Sequence, residues 1–473
     1  MTERVQPSLD DPVLTALSEG IGGPVGGHAR PARWWTPVRV VLALAALAFA
    51  LGMLQKQPCW ADDWTDGHER YVAMCYSDVP YLYTGRGFAE LLWPYDDDAE
   101  VRAKYEVMEY PVGIAYAAWA AAHVSHWLLG DGSVEPRAEV GADQVLQQPG
   151  VLREQRGFVV ATTLSLAVAT LAAAWALARV HRRRPYDAAL FAASPVLVVN
   201  ALVNWDLLAV ALVAGALLAW SRQRPVLTGV LIGLGVATKL YPLFLLGGIV
   251  VICLRSRAWR TMLTVAAATA LAWLLANLPA MATGWDEWMH FWRFNDERGA
   301  DLGSLWLVLA QAGVPVSTAL VNNVSLVGFG LWCLVVLVIG LRAPETPRLA
   351  QLGFLVVAGF LVFNKVYSPQ YVLWLLPLAV MARPRWRDQL AWQAGELLYF
   401  ASVWWYLDNQ LASGGGTQPV FYWLAIIVRV ACELWLVAVV VRDIRRPAYD
   451  VVRRTDPSAD EGPVEGRRRE VYA

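Results

Sequence analysis

The sequence predicts an all-α protein, a polytopic bundle of transmembrane helices with one large polar segment in its first third. The 473 residues are 57% hydrophobic and only 17% charged, whereas a soluble chain carries about a quarter charged residues. Apolar runs of nearly membrane-spanning length recur between Val38 and Val441. These runs do not alternate polar and apolar residues, as the strands of a membrane β-barrel do. The exception is an acidic segment, residues 58–111, which separates the first apolar run from the rest.

The two ends of the chain differ in composition from its apolar centre. Residues 1–35 are polar and rich in Gly and Pro, and residues 442–473 are rich in charged residues, so we predict two disordered cytoplasmic tails. Residues 36–441 form the membrane domain, and residues 55–155 within it are predicted as a first extracytoplasmic loop with interfacial helices. We expect no cleavable signal peptide, because no small-residue cleavage site follows the first apolar run.

Clusters of arginine predict the orientation. Arg-rich turns such as residues 181–184 and 222–224 follow the strong apolar runs, and the positive-inside rule places such turns in the cytoplasm. Both termini are then cytoplasmic, and about twelve helices cross the plasma membrane. Residues 110–129 are apolar but contain Pro and His, and parity requires that they do not cross fully. We interpret them as a half-inserted or interfacial helix on the outer side. The alternative is that they do cross, in which case the topology gains one span and the N-terminus can lie outside.

Two pairs of apolar runs, residues 226–254 and 349–381, consist of helices shorter than the ~20 residues that span a bilayer. They are predicted to be hairpins with polar apices sunk below the outer surface. Water or protein must line these apices, because bare backbone is not tolerated in lipid. The two apices share the pattern Lys-x-Tyr followed by Pro, beginning at Lys239 and at Lys365.

These two lysines are candidates for binding a phosphate. Charges at membrane depth are costly and usually functional, and an ammonium group neutralises a phosphate as a point charge. Tyr241 and Tyr367, which follow the lysines, are predicted to complete the phosphate site. The alternative is that Lys239 and Lys365 snorkel to the membrane surface.

Other polar and aromatic residues at the same predicted side are candidates for binding sugar. Asp206 could hold a sugar hydroxyl, pair with a lysine, or cap a helix. Trp288, in an aromatic cluster, could stack on a sugar face or anchor the chain at the interface. His290 could serve a leaving phosphate, although a lone interfacial histidine is more common. The full set of candidate sugar and acceptor residues is Tyr81, Tyr110, Asn204, Asp206, Trp288, His290 and Gln370.

The acidic segment offers a candidate general base, Asp78. A positioned carboxylate can accept the proton of an attacking hydroxyl, and Asp78 has aromatic and apolar neighbours that could hold it near the membrane surface. Cys59 and Cys75 lie in the same segment and could form a disulfide if it is outside. No Cys/His spacing indicates zinc; paired carboxylates could hold a divalent cation, but we expect neither a metal nor another cofactor.

Taken together, these motifs resemble the GT-C superfamily of integral-membrane glycosyltransferases. The chain is most similar to the actinobacterial family of polyprenol-phosphate-mannose-dependent mannosyltransferases and a related arabinofuranosyltransferase. The resemblance covers about residues 38–441, and the family's usual Tyr-Pro-Pro is Tyr110-Pro111-Val112 here. The matching motifs are Asp78 with the aromatic and small residues up to Gly87, Tyr110-Pro111, Asn204-x-Asp206 and Lys239-x-Tyr241-Pro242.

The resemblance implies a GT-C-like fold, Asp78 as the catalytic base and a polyprenyl-phosphate sugar as donor. Transfer of mannose or arabinofuranose to a cell-envelope glycolipid or polysaccharide on the outer face, with inversion, is the expected reaction. No Gly-rich nucleotide motif argues for a nucleotide donor, and no feature suggests a nucleic-acid partner. The alternative is a flippase or transporter of a lipid-linked sugar, but transporters place ionisable residues near the membrane midplane, often in inverted repeats.

Overall fold

The computed structural model describes residue 12 and residues 34–411 and 419–456. This part of the chain is helical and contains no β-strand. The Gly-rich residues 412–418, most of the N-terminal tail, and residues 457–473 lie outside the described residues. The α-helices, numbered along the chain, are α1 (Pro37–Gln55), α2 (Gln57–Ala61), α3 (Glu69–Val72), α4 (Val79–Gly85), α5 (Ala99–Lys104), α6 (Val112–Leu129), α7 (Glu135–Ala138), α8 (Val151–Val180), α9 (Ala189–Ala192), α10 (Pro195–Asn200), α11 (Asp206–Ser221), α12 (Pro225–Thr238), α13 (Leu245–Ser256), α14 (Trp259–Thr283), α15 (Trp285–Glu297), α16 (Leu305–Gln311), α17 (Thr318–Arg342), α18 (Leu349–Phe363), α19 (Val372–Ala382), α20 (Trp386–Leu407), α21 (Val420–Arg445) and α22 (Val451–Thr455).

Five of these helices, α1, α8, α14, α17 and α21, are long and apolar enough to cross a membrane. The predicted count of about twelve crossings and the sides of the membrane stay predictions. Shorter apolar helices, among them α18 and α19, fill the centre of the bundle, and nearly all of their residues are buried. A helix that is apolar on every side is expected where other helices surround it.

Two glycines of α12 let it approach α14 closely. A Cβ added at Gly229 or Gly233 would lie within 2.5 Å of a backbone carbonyl oxygen of α14, that of Val265 or Thr269. The Thr269 hydroxyl donates to the Gly229 carbonyl across this contact. The two glycines therefore serve close packing between α12 and α14.

One apolar run of the sequence is divided between two helices. Residues 188–203 are apolar for most of their length, but the structure forms α9 and α10 there in place of a single helix. Ser194 is extended (φ −71°, ψ 125°), as is usual for a residue before proline, and Pro195 starts the next helix. The predicted apices after α12 and α18 are also breaks, each followed by a short 3₁₀ turn, residues 241–244 and 369–371.

Residues 56–150 fold into short helices with a hydrophobic core of their own. A disulfide joins Cys59 and Cys75, as considered from the sequence. At the C-terminal end of α6, the Ser125 hydroxyl donates to the Glu154 carbonyl and His126 lies 3.0 Å from the Glu154 carboxylate. The helix predicted to be interfacial therefore packs against the first turns of α8, and its depth in the bilayer stays a prediction.

The arginine-rich turns gather at one end of the bundle, here called the arginine-rich end. Buried Arg348 pairs with Asp450 at 3.0 Å, and buried Arg383 pairs with Asp388 and Asp443, each at 2.8 Å. Asp450 caps the N-terminus of α22, whose first two residues are also buried. The prediction that the chain is disordered from residue 442 onward is therefore wrong as far as residue 456, because these arginines bind the C-terminal segment to the bundle.

Candidate functional site

A cavity of about 570 Å³ opens at the opposite end of the bundle, here called the cavity end. Its walls come from the acidic segment, the start of α6, the turn after α12, α15, the loop between α18 and α19, and the end of α20. Its charged and amide side chains are Asp78, Glu109, Lys239, Asn295, Arg298, Asn364, Lys365 and Gln370. The structure thus brings the predicted base and both predicted phosphate-binding lysines to one cavity.

Asp78 is held on one wall by its backbone and its side chain. Its N–H donates to the Val203 carbonyl at 2.8 Å, beside the Ser77 hydroxyl, which donates to the same oxygen at 3.3 Å. The Tyr110 hydroxyl donates to the Asp78 carboxylate at 2.7 Å. The Cys59–Cys75 disulfide fixes the chain three residues earlier. The carboxylate therefore has a defined position at the cavity.

The surroundings of Asp78 suit a general base. Burial raises the pKa of its carboxyl, while hydrogen bonds from Tyr110 and Tyr76 lower it; Glu109 raises it and Lys239 lowers it by charge. The net direction is upward from the ordinary value. A carboxylate whose pKa is raised is a stronger base and accepts a proton more readily.

Lys239 lies directly after α12 and reaches the cavity while paired with Asp206. The Lys239 ammonium is 2.9 Å from the Asp206 carboxylate and 4.5 Å from the centre of the Tyr110 ring. Asp206 is fully buried and does not line the cavity. Of the roles considered for Asp206, the structure therefore shows pairing with a lysine. The Asn204 side chain accepts from the Asp206 N–H at 3.0 Å and so supports the start of α11.

Lys365 differs because no carboxylate pairs with it among the described residues. Its ammonium donates to the Asn295 carbonyl and, at 2.5 Å, to the Asn322 side chain. Burial lowers the pKa of Lys365, and nearby Asp296 opposes this. A half-buried ammonium with only neutral partners is well suited to an anionic ligand.

Arg298 adds a third cation that sequence reasoning missed. It lies 2.7 Å from Asp301 through its Nε and also lines the cavity. Sequence reasoning did note the aromatic residues of this segment, but an arginine just past Glu297 carried no distinguishing pattern. Glu109 was also missed as a lining residue, although its position directly before Tyr110-Pro111 was a usable signal.

Aromatic rings form a wall close to Asp78. Tyr71, Tyr76 and Trp404 all line the cavity, and their ring centres are 5.2–6.2 Å apart. Tyr76 precedes Asp78 by two residues, whereas Trp404 comes from the distant end of α20. No sequence signal connected Trp404 with the acidic segment, because only the packing of α20 brings them together.

Several predicted site residues do not line this cavity. Tyr241 is buried and stacks on Trp374 at 4.9 Å, and buried Tyr367 donates to Glu396 and Glu433. Both tyrosines therefore lack the access that phosphate binding requires, and the pattern of Lys followed by Tyr marks packing at these two positions.

The remaining candidates divide in the same way. Tyr81 stacks on Tyr76 at 5.7 Å, one layer behind the cavity wall. Trp288 is buried and donates to Asn277 at 2.8 Å, and His290 contacts Phe294. Neither lines the cavity, whereas the neighbours Phe291 and Trp292 do. Tyr110 and Gln370 line it as expected.

No group of three or more His, Cys, Asp or Glu side chains that could hold a metal ion occurs in the described part of the chain. The absence of a cofactor from the reaction stays a prediction.

Comparison with known proteins bears on the class of reaction. No curated protein matches the chain. Residues 146–364, just under half of it, match the model of Glycosyltransferase family 87. The matched part includes Asp206, Lys239 and Arg298 but ends before Lys365 and begins after Asp78 and Tyr110. The chain is thus similar to a family of GT-C-type membrane glycosyltransferases, and this similarity, with five apolar helices long enough to span a bilayer, supports a membrane glycosyltransferase.

Proposed function

We propose that the protein is an inverting glycosyltransferase that uses a polyprenyl-phosphate sugar as donor. One observation carries the proposal: a single cavity holds a partly buried carboxylate, Asp78, together with three cations, Lys239, Arg298 and Lys365. A carboxylate can take the proton of an acceptor hydroxyl. Cations placed where negative charge develops can stabilise a leaving phosphate. Both requirements of a sugar transfer from a phosphate donor are met within one space.

The reaction follows from these positions. Asp78 accepts the proton as the acceptor oxygen bonds to the anomeric carbon. The bond between that carbon and the phosphate oxygen breaks, and its electron pair leaves with the polyprenyl phosphate. Lys365 and Arg298 stabilise the phosphate charge, and Lys239 contributes while it also pairs with Asp206. Attack from the face opposite the leaving group inverts the anomeric centre.

The acceptor is proposed to be a cell-envelope glycolipid or polysaccharide, with mannose or arabinofuranose as the transferred sugar. Supporting this, the wall of Tyr71, Tyr76 and Trp404 offers aromatic faces close to Asp78. Such faces present a large apolar surface on which a sugar ring can rest while its hydroxyls bind polar groups. These two sugars are named on the family resemblance alone.

The cavity is proposed to face outward from the plasma membrane. The arginine-rich turns lie at the end of the bundle opposite the cavity. Cytoplasmic loops carry the excess of arginine in membrane proteins, which supports cytoplasmic termini and an extracytoplasmic cavity.

A substitution of Asp78 tests the proposal. Membranes containing wild-type protein or Asp78→Asn receive labelled polyprenyl-phosphate mannose or, in parallel, polyprenyl-phosphate arabinose with extracted cell-envelope lipids. We expect transfer by the wild type and a loss of at least a hundredfold in the variant, within the range that general bases contribute. The control is Asp408→Asn, which removes a carboxylate paired with His68 outside the cavity lining.

Unchanged transfer by Asp78→Asn would remove this residue from the role of base. Nothing in the cavity favours the transporter, whose ionisable residues are expected near the midplane, and the family match gives it no support. Movement of the intact lipid-linked sugar across vesicles, with no transferred product, would reverse that preference.

A further inference from the structure

A buried group of charged residues lies behind the cavity and has no part in the chemistry proposed above. Arg429 and Glu433 of α21 are fully buried, and Glu396 of α20 is 3% exposed. None of the three lines the cavity. Ionisable residues inside a membrane bundle are costly and are expected to have a function. We call these three residues the Arg429 cluster.

Arg429 directs most of its hydrogen bonds to one stretch of backbone. Its Nε donates to Glu396 at 2.7 Å, while its two terminal nitrogens donate to the carbonyls of Tyr367 at 2.5 Å and Ser368 at 3.3 Å. The guanidinium carbon also lies 3.3 Å from the centre of the Tyr367 ring. A planar guanidinium can make these contacts together, and a lysine ammonium cannot reproduce them.

Glu396 and Glu433 fix the same stretch of chain through the side chain of Tyr367. The Tyr367 hydroxyl lies 3.2 Å from Glu396 and 3.0 Å from Glu433. Tyr367 is therefore fixed through its carbonyl, its ring and its hydroxyl. It sits in the middle of residues 364–371, which connect α18 to α19 without a continuous helix.

These residues, here called the 364–371 loop, form the cationic wall of the cavity. Lys365, Gln370 and Tyr371 of the loop line the cavity. The loop also pairs with the segment that carries Arg298, since the Tyr367 N–H donates to the Leu302 carbonyl and the Asp301 N–H to the Lys365 carbonyl. A single anchor at Tyr367 thus sets the position of two of the three cavity cations.

We propose that Arg429, paired with Glu396, is a positioning residue that, together with the contact of Glu433 to Tyr367, holds the 364–371 loop so that Lys365 and Arg298 face a common anionic ligand. Its effect on phosphate binding rests on the proposed function. The claim that Arg429 fixes the loop is independent of the proposed function, because it follows from the contacts of Tyr367 alone. Arg429 reaches the ligand only through these other residues.

Arg383 supplies a matched control. It is equally buried, lies between the same two helices, α20 and α21, and pairs with two carboxylates, but at the arginine-rich end. We compare wild type with Arg429→Met, Arg429→Lys and Arg383→Met in purified full-length protein. Hydrogen–deuterium exchange of residues 364–371 is measured first, followed by transfer kinetics with polyprenyl-phosphate mannose and, as a second arm, polyprenyl-phosphate arabinose.

We expect Arg429→Met to speed exchange in the 364–371 loop at least tenfold and to raise the KM for the polyprenyl-phosphate donor by a similar factor, with a smaller change in kcat. Arg429→Lys should give intermediate values, because it keeps the charge but not the paired bonds to two carbonyls. Arg383→Met should lower the melting temperature while leaving loop exchange and donor KM within twofold of wild type. Glu433→Gln, a milder change, is measured should Arg429→Met not fold, and is expected to speed loop exchange severalfold.

Unchanged exchange in the 364–371 loop of a folded Arg429 or Glu433 variant would overturn the proposal. So would equal changes in Arg429→Met and Arg383→Met, which would indicate general destabilisation. If wild-type protein transfers neither sugar, the proposed function fails, and the exchange measurement still decides whether Arg429 holds the loop.

Discussion

The two ends of the α20–α21 helix pair use the same chemistry for different purposes. At the arginine-rich end, Arg383 bridges Asp388 on α20 and Asp443 on α21. At the cavity end, Arg429 pairs with Glu396 across the same two helices. Both arginines are buried, and both also donate to backbone carbonyls of a neighbouring segment, Tyr449 for Arg383 and Tyr367 for Arg429.

The two ends differ in the segment of chain that each arginine binds. The segment that Arg383 binds, at Tyr449, leads into α22. Next to it, Arg348 donates to Asp450 and to the carbonyls of Met381 and Ala382. Arg348 and Arg383 thus direct their hydrogen bonds to other groups of the protein. Behind Arg429 the 364–371 loop presents Lys365 to open space with no carboxylate partner among the described residues. Buried ion pairs alone therefore do not identify a site; a cation without an acidic partner that borders a cavity does.

The largest expected effect is on stability at the arginine-rich end. Arg348→Met removes the closer of the two arginines that pair with buried Asp450, at 3.0 Å, and leaves only Arg453 at 3.5 Å. Breaking a buried ion pair in this way costs up to about 3–5 kcal/mol of unfolding free energy. The melting temperature in detergent should fall sharply, while folded protein keeps its donor KM. Arg387→Met is the control, because Arg387 is 67% exposed and its pair with Asp388 is worth about 0–1 kcal/mol. Equal melting temperatures for the two variants would contradict this account of the arginine-rich end.

At the cavity end, Lys365→Met should reduce activity more than stability. Loss of a hydrogen bond to a charged ligand costs about 1.5–3 kcal/mol, so kcat/KM for the polyprenyl-phosphate donor should fall roughly tenfold or more. The melting temperature should change little, since no buried carboxylate is left behind. Lys365→Arg should restore part of the activity, and a variant with full activity and reduced stability would place Lys365 with the structural charges instead.

A smaller effect concerns pH. Tyr110→Phe removes the hydroxyl that donates to Asp78 and lowers its pKa. The pKa of Asp78 should then rise further above its ordinary value. A base works only when ionised, so transfer increases as pH rises through this pKa, and the acidic limb of the pH–rate profile should move to higher pH in the variant. A shift toward lower pH, or none, would show that another group sets this limb.

A second effect of pH is expected at Lys56, directly after α1. Burial lowers the pKa of Lys56 from 10.5 to about 7, partly offset by Asp78. Between these pH values the unfolded chain binds a proton that the folded protein has released, so stability rises with pH across this range. The melting temperature of wild type should therefore rise from pH 7 to pH 10 relative to that of Lys56→Met. Parallel curves for the two proteins would mean that Lys56 is charged in the folded state.

Part of the candidate site could be predicted from the sequence because charge is conspicuous in an apolar chain. Lys239 and Lys365 were recognised as ionisable residues in apolar surroundings, and Asp78 by its aromatic neighbours. Tyr241 and Tyr367 were predicted to complete the phosphate site, but both are buried and neither lines the cavity, because sequence adjacency does not fix which way a side chain points once the helix breaks. The Arg429 cluster was not identified at all, since Glu396, Arg429 and Glu433 are separate single charges in two long helices.

The sequence by itself determined the helical class of this protein, the clustering of arginine in its turns and the breaks at which Lys239 and Lys365 lie, because hydropathy and proline act locally along the chain. Only the tertiary structure decided that these lysines share a cavity with Asp78, that Trp404 faces the acidic segment and that Arg429 holds the 364–371 loop. Those contacts join residues far apart in the sequence, and their geometry depends on how the whole bundle packs.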